Sequence, residues 1–272
     1  MTRAPATAKL NLALVVGPTR PDGRHEVCTV LQRVDLADRI ALAASPTLRV
    51  DGFPDDTLVR EALSTLAQHA GVEPRWAARI TKRIPVAAGL GGGSSDAATA
   101  LRLANETLEQ PVDRDDLRDV AADLGADVPF FLTQGPQLGQ DDGTRLSELD
   151  LPQDYWIVLV RPADARKPST ASVYEAFDRR LGERGFEERR HSLLDALDQV
   201  RRPADLARLP SNDLAGSPLA AELQRLGAFR ADVTGAGPVV YGLFRRRDHA
   251  LAARRAMEVH GRTWLTVPAW YG

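Results

Sequence analysis

Apolar and polar positions alternate through the first part of the chain with the period of two that marks strands. Residues 8–16 and 26–35 are dense in Leu, Val and Ala, and the stretch Pro18–Arg24 between them is turn-like. The pattern predicts two antiparallel strands joined by a longer loop. Short strands continue over 38–50. Across 56–70 the period changes to that of a helix, with Leu58, Ala62, Leu63 and Leu66 on one face. Residues 76–84 read as a strand, a helix follows from about Ser94 to Asn105, and another spans 113–124, opened by Asp113 and closed at Gly125. The character changes near Leu151–Asp154. Tyr155–Arg161 is an apolar strand, helices are expected near 169–181 and 191–200, and residues 201–211 read as an Arg- and Pro-rich linking loop. The order then runs strand 229–234, strand 238–244, helix 247–259 and strand 262–269. This is the element order of a split β-α-β, ferredoxin-like unit. Two domains are expected, 1–152 and 153–272, in an α+β chain of 272 residues.

Composition removes several classes of function. A formal net charge of −2 without a basic stripe gives no electrostatic footprint for nucleic acid, and no polybasic run favours a membrane surface. No apolar run approaches the ~20 residues needed to span a bilayer. The apolar stretch Leu10–Gly17 is short and contains Asn11, so it reads as a buried strand rather than a signal segment. The single cysteine, Cys28, excludes an intrachain disulfide and fits a reducing, cytoplasmic setting. It reads as a small core residue. Of the 35 basic residues only Lys9, Lys82 and Lys167 are lysines, which makes each more informative than a lysine usually is.

Four segments carry candidate chemistry. The first is Pro85-Val86-Ala87-Ala88-Gly89-Leu90-Gly91-Gly92-Gly93-Ser94-Ser95-Asp96, placed between a strand and a helix. Glycines let backbone amides converge on phosphate oxygens, the helix start adds free donors, and Ser94 and Ser95 add hydroxyls for phosphate or Mg²⁺. It is neither a Walker A loop, which needs Lys where Ser94 stands, nor a dinucleotide loop, which needs Gly there. The second is Gly125-Ala126-Asp127-Val128-Pro129. Asp127 reads as an ordinary helix N-cap that could at the same time be the carboxylate that orients an acceptor hydroxyl and takes its proton. The third is Ala8-Lys9-Leu10-Asn11, whose Lys9 and Asn11 share one strand face. That face is either solvated or turned toward phosphate charge and Asp127. The fourth is Thr234-Gly235-Ala236-Gly237-Pro238, either a plain hairpin turn or a second glycine turn closing over the phosphates.

Together with Asp22-Gly23-Arg24-His25-Glu26, these segments resemble the GHMP kinase superfamily over about residues 7 to 245. The tripled glycine and the Asp-Gly-Arg-His-Glu segment resemble one branch of it, which phosphorylates the 2-hydroxyl of a cytidine diphosphate-linked polyol in isoprenoid precursor biosynthesis. The resemblance implies a GHMP two-domain fold: an N-terminal ATP-binding domain with a left-handed β-α-β element, a ferredoxin-like C-terminal domain, and an active site between them. It implies ATP and Mg²⁺, with Lys9 and Asp127 as catalytic residues. It assigns the ATP phosphates to Pro85 and to Gly89, Leu90, Gly91, Gly92, Gly93, Ser94 and Ser95, the two serines being metal candidates. It assigns the small-molecule substrate to Asn11, Arg24, His25, Thr170, Tyr174, Gly235 and Gly237, with Tyr174 stacked on the cytosine and His25 beside it. Arg24 stands where a Tyr is usual, and a guanidinium can also stack on a base. Thr57 stands where an Asn near adenine is usual, and Ala236 where a hydroxyl residue is usual. Other readings are a homoserine, mevalonate or sugar kinase of the same superfamily, and a silent nucleotide-binding regulator.

Overall fold

The computed structural model describes residues 1–56, 58–164 and 169–269. Its first half is built on one long hairpin. Strand β1 (Thr2–Thr19) pairs antiparallel with β2 (His25–Ala44) along nearly its whole length. Strand β2 then serves two further neighbours: β4 (Trp76–Thr81) pairs with its last six residues, and β5 (Gln137–Gln140) with Thr29–Leu31. Strand β3 (Arg49–Asp51) lies parallel to β4, and β6 (Arg145–Glu148) closes the other edge. The result is a six-stranded sheet with path β3-β4-β2-β5-β6 and β1 on β2.

Helices α1 (Leu58–His69), α2 (Gly92–Asn105) and α3 (Arg114–Leu124) cover this sheet. Ala62, Leu63 and Leu66 of α1 and Ala97, Leu101 and Ala104 of α2 are buried in one apolar cluster with Ile40 and Ile80 of the strands. The expected helical face of 56–70 is the face that packs, with Val59 and Ala67 added and Leu58 at its half-buried margin.

The second half is a four-stranded antiparallel sheet in the order β10-β7-β9-β8. Its strands are β7 (Trp156–Pro162), β8 (Arg230–Val233), β9 (Val240–Phe244) and β10 (Gly261–Thr266). Numbered within the unit this is 4-1-3-2, the ferredoxin-like order that the element sequence predicts. Helices α4 (Thr170–Arg179), α5 (Phe186–Asp198), α6 (Pro218–Arg225) and α7 (Arg247–Met257) complete it. One face of the sheet packs on α6 and α7. The other, through Ile157, Leu159, Tyr241 and Leu243, packs with Ala8, Leu10 and Leu12 of β1 and Phe186 of α5. The two halves therefore share a core, and the Tyr241 hydroxyl donates across it to the Leu12 carbonyl at 3.1 Å. Cys28 is fully buried in this core, which pushes its thiol up to about 11 and leaves it inert.

One local expectation is corrected, and two elements are added to those the sequence pattern predicts. Residues 201–211 hold a 3-10 turn, Pro203–Arg208, opened by Pro203 and tied by the Asp205 carboxylate to the Arg201 and Arg202 amides. Helix α6 was not anticipated, although Ser217 caps it and Pro218 sits at its first position. The β5–β6 hairpin was missed because its strands have four residues each, too few for a period-two pattern to stand out.

One buried charge organises the centre. Arg33 on β2 lies opposite Lys9 of β1 and is 5% exposed. Its guanidinium donates to the Phe130 carbonyl at 3.2 Å and the Thr133 carbonyl at 2.5 Å, and it sits over the rings of Phe130 and Phe131. Burial, with the like charge of Arg102, lowers its pKa to about 10, so it stays cationic at neutral pH. Arg33 thus holds the turn Pro129–Leu132 against β2. Arg33→Met keeps the apolar bulk but strips the Thr133 carbonyl of a donor. It should lower unfolding free energy by about 1–3 kcal/mol, read from denaturant midpoints at constant slope.

Candidate active site

The glycine-rich segment leaves β4 at Thr81 and enters α2 at Gly92, two residues earlier than the sequence suggests. Gly91 takes the N-cap position at φ 68° with no side-chain cap bond, and its carbonyl accepts the Ser95 amide at 2.9 Å. The first amides of α2 therefore remain available to an anion. A side chain on Gly91 would press on Lys9 and Phe131, so a left-handed glycine is required here. Gly89, at φ 76°, is likewise forced: a Cβ there would collide with the Thr234 carbonyl. The two glycine turns touch at this point, one from each half of the chain. The Thr234 hydroxyl accepts the Asn11 amide at 3.0 Å, and Asn212 donates to the Gly235 carbonyl at 2.7 Å, which fixes the second turn against β1.

Between the turns lies a cavity of about 520 Å³. Pro85, Gly89, Leu90, Gly91, Gly92, Gly93, Ser94 and Gly235 all border it, as do Lys9, Asn11, Asp127, Thr170 and Tyr174. Ser95 does not: it is 1% exposed inside α2 and is not among the cavity's borders. Gly237 also stands back from the lining, shaping the turn that carries Gly235 and Ala236. Thr57 lies outside the described residues.

Lys9 is not on a solvated face. It sits between two register shifts of β1, at Thr7/Ala8 and Asn11/Ala13, and is 5% exposed. Its ammonium donates to Asn11 Oδ1 at 2.8 Å and lies 3.3 Å from Asp127 Oδ2. Asn11 is held in turn, donating to the Thr29 hydroxyl, which donates to the Ala13 carbonyl, both at 2.8 Å. Asp127 is 42% exposed toward the cavity. The cation is fixed and the carboxylate is open, as a group that meets a substrate must be. Asp127 is not a helix cap: Val128 holds the N-cap position of the Pro129 turn, without any side-chain cap bond.

A second hollow, about 420 Å³, shares Val27, Ala126, Asp142, Thr170 and Tyr174 with the first. His25 and Tyr174 border it with ring centres 4.7 Å apart, and His25 Nε2 is 2.8 Å from Asp178 Oδ1. Burial pushes the Tyr174 phenol up to about 12, and the charge of Asp127 adds to the effect. Arg24 reaches Asp142 at 2.5 Å, so its guanidinium is anchored at the rim.

Sequence reasoning gave Lys82 no role. Its ammonium lies between the Asp38 and Asp96 carboxylates, 2.8 Å from Asp96 Oδ2, beside the Phe53 ring and at the cavity wall. The Asp38 carboxylate also accepts the Ile84 amide at 2.8 Å. Burial raises Asp96 to about 7; Lys82 works against that rise and the like charge of Asp38 with it. The scarcity of lysine was the available signal. The partners, 44 residues before Lys82 and 14 after it, come together only in the fold.

The GHMP kinases N-terminal domain model matches residues 57–135, and the GHMP kinases C-terminal model matches 217–262. A 4-diphosphocytidyl-2-C-methyl-D-erythritol kinase of Gloeobacter violaceus is 38% identical, covering 92% of this chain and 88% of its own. One of Pelobacter propionicus is 37% identical over 97% and 96%. A crystal structure of 4-(cytidine 5'-diphospho)-2C-methyl-D-erythritol kinase superposes with a TM-score of 0.79 at 31% identity, covering 98% of this chain and 99% of that one. The mevalonate kinase of Methanococcus jannaschii gives 0.78 at 14% identity, a likeness of fold. Two glycine turns meeting over a Lys–Asp pair, joined to this similarity along almost the whole chain, show that it belongs to the GHMP kinases, in the family of the 4-diphosphocytidyl-2-C-methyl-D-erythritol kinases.

Proposed function

We propose that the protein transfers the γ-phosphoryl group of ATP to the 2-hydroxyl of 4-diphosphocytidyl-2-C-methyl-D-erythritol, giving the 2-phosphate and ADP. The observation that carries this reading is the buried Lys9 beside an open Asp127, in the cavity where the two glycine turns meet. In the division of labour we infer, residues 1–152 bind the nucleotide and residues 153–272 supply the second turn and the Tyr174 wall.

The free amides of Gly92, Gly93 and Ser94 hold the phosphate oxygens at the start of α2. Asp127 orients the acceptor hydroxyl and takes its proton as that oxygen bonds to the γ-phosphorus. The bond from phosphorus to the bridging oxygen breaks, and ADP leaves with the electron pair. Lys9, immobilised by Asn11, places fixed positive charge where the transferring group gains negative charge. In a loose, in-line transfer the protein mainly supplies position and fixed charge, so this small set suffices.

Among the described residues no group of three or more His, Cys, Asp or Glu could hold a metal ion. Mg²⁺ binds through nucleotide phosphates and keeps several waters, so a single hydroxyl suffices as its protein contact. Ser94, at the cavity, is the side chain that would reach it; Ser95 is enclosed. When bound, the ion neutralises charge on the phosphate oxygens.

At the other end, Tyr174 and His25 border the hollow that receives the base, and Arg24, fixed by Asp142, occupies the rim. Thr170 borders both hollows and so faces the join between base and polyol.

ADP release measured with ATP and Mg²⁺ should appear with the cytidine substrate and stay at background with mevalonate or homoserine. Turnover confined to mevalonate or homoserine would reassign the acceptor, and ATP binding without turnover on any of the three would indicate a silent regulator. Asp127→Asn should reduce kcat by about 10²–10⁴-fold with ATP affinity nearly unchanged; near-normal turnover would remove Asp127 as the base. Tyr174→Ala should weaken acceptor binding by about 1–3 kcal/mol, the usual worth of one stacked base, seen in KM for the cytidine substrate and not in KM for ATP.

A further inference from the structure

We infer that Lys82, held between Asp38 and Asp96, is a positioning residue that fixes the span of the glycine-rich loop and so sets affinity for ATP. The inference rests on reading residues 85–95 as the phosphate-binding loop.

The three side chains join three elements. Asp38 lies on β2, Lys82 directly follows β4, and Asp96 lies in the first turns of α2. Asp38 secures the entry to the loop, because one carboxylate oxygen accepts the Arg83 and Ile84 amides while the other meets Lys82. Asp96 secures the exit, meeting Lys82 at 2.8 Å from within α2. One ammonium thus ties together the two ends of a loop rich in glycine, whose freedom would otherwise be lost when phosphates bind. A loop already held in its binding shape avoids that cost.

The charges make the link obligatory. Asp38 and Asp96 are both 0% exposed, and Asp96 Oδ1 has no hydrogen-bond partner. Without Lys82 two enclosed carboxylates would face each other across the junction of β2 and α2, and their repulsion would drive the loop's ends apart.

Lys82 itself borders the cavity, whereas Asp38 and Asp96 are not among its borders, so changes at the two aspartates separate positioning from direct contact with ATP. Asp38→Asn and Asp96→Asn keep side-chain shape, and Asp38→Asn keeps an oxygen for the Arg83 and Ile84 amides. The test compares these two variants and Lys82→Met with the wild-type enzyme, measuring KM for ATP, KM for the acceptor and kcat at saturating ATP. Each of the three should raise KM for ATP about tenfold while the other two constants move less than about threefold. An effect confined to Lys82→Met would overturn the inference in favour of direct contact. A parallel rise in both KM values would overturn it in favour of general destabilisation. Should Lys82→Met fail to fold, the two Asn variants decide alone. Absence of wild-type ATP binding, read by displacement of a fluorescent ATP analogue, would overturn the loop assignment itself and is a separate result.

Discussion

The site depends on keeping an ammonium charge almost out of water at Lys9. A buried cation is costly unless acceptors surround it. Asn11 supplies one from the same strand, locked in orientation by Thr29, and Asp127 supplies the other from a turn more than a hundred residues away. That turn must therefore be brought to β1 and held there. Arg33, the cross-strand neighbour of Lys9, does so by binding the Phe130 and Thr133 carbonyls. Two cations side by side on one hairpin thus hold the same turn by two means, one through a carboxylate and one through backbone carbonyls. The carboxylate end stays open, and in the proposed reaction it is the end that meets substrate.

The rest of the fold arranges the surroundings of this pair. Strand β1 gives Lys9 and Asn11 to the cavity and Leu10 to the shared core, so a single strand belongs to both halves. Because the halves share that core, the contact between Gly89 and the Thr234–Gly237 turn is set by packing. Only residues without side chains allow the two backbones to approach so closely. The cavity is consequently walled by both halves, a common placement for small-molecule sites.

Charge is distributed unevenly along the cavity. The end at the glycine-rich loop has uncapped amides at the start of α2 with Lys9 and Lys82 also on the wall. The other end carries the His25 and Tyr174 rings, with His25 against Asp178 and Arg24 paired to Asp142. In the proposed reading the phosphates meet near the centre and the heterocycle lies on the stackable rings of His25 and Tyr174.

The sequence by itself determined the opening hairpin, the strand order of the ferredoxin-like half, the packing face of α1, the caps of α3 and the segments that bear chemistry. Each follows from local rules, namely periodicity, turn residues and capping, that need only neighbouring residues. It did not determine which reading of an ambiguous residue holds. Asp127 before Val128-Pro129 satisfies the local rule for a cap, and only the fold shows that Val128 takes that position while Asp127 meets Lys9. Ser94 and Ser95 are equivalent as text, yet helix geometry opens one to the cavity and encloses the other. Arg33 and the Asp38–Lys82–Asp96 group have no motif, because their partners are scattered along the chain and their meaning comes from burial. Desolvation makes a charge important, and desolvation is a property of the folded interior that the order of residues does not display.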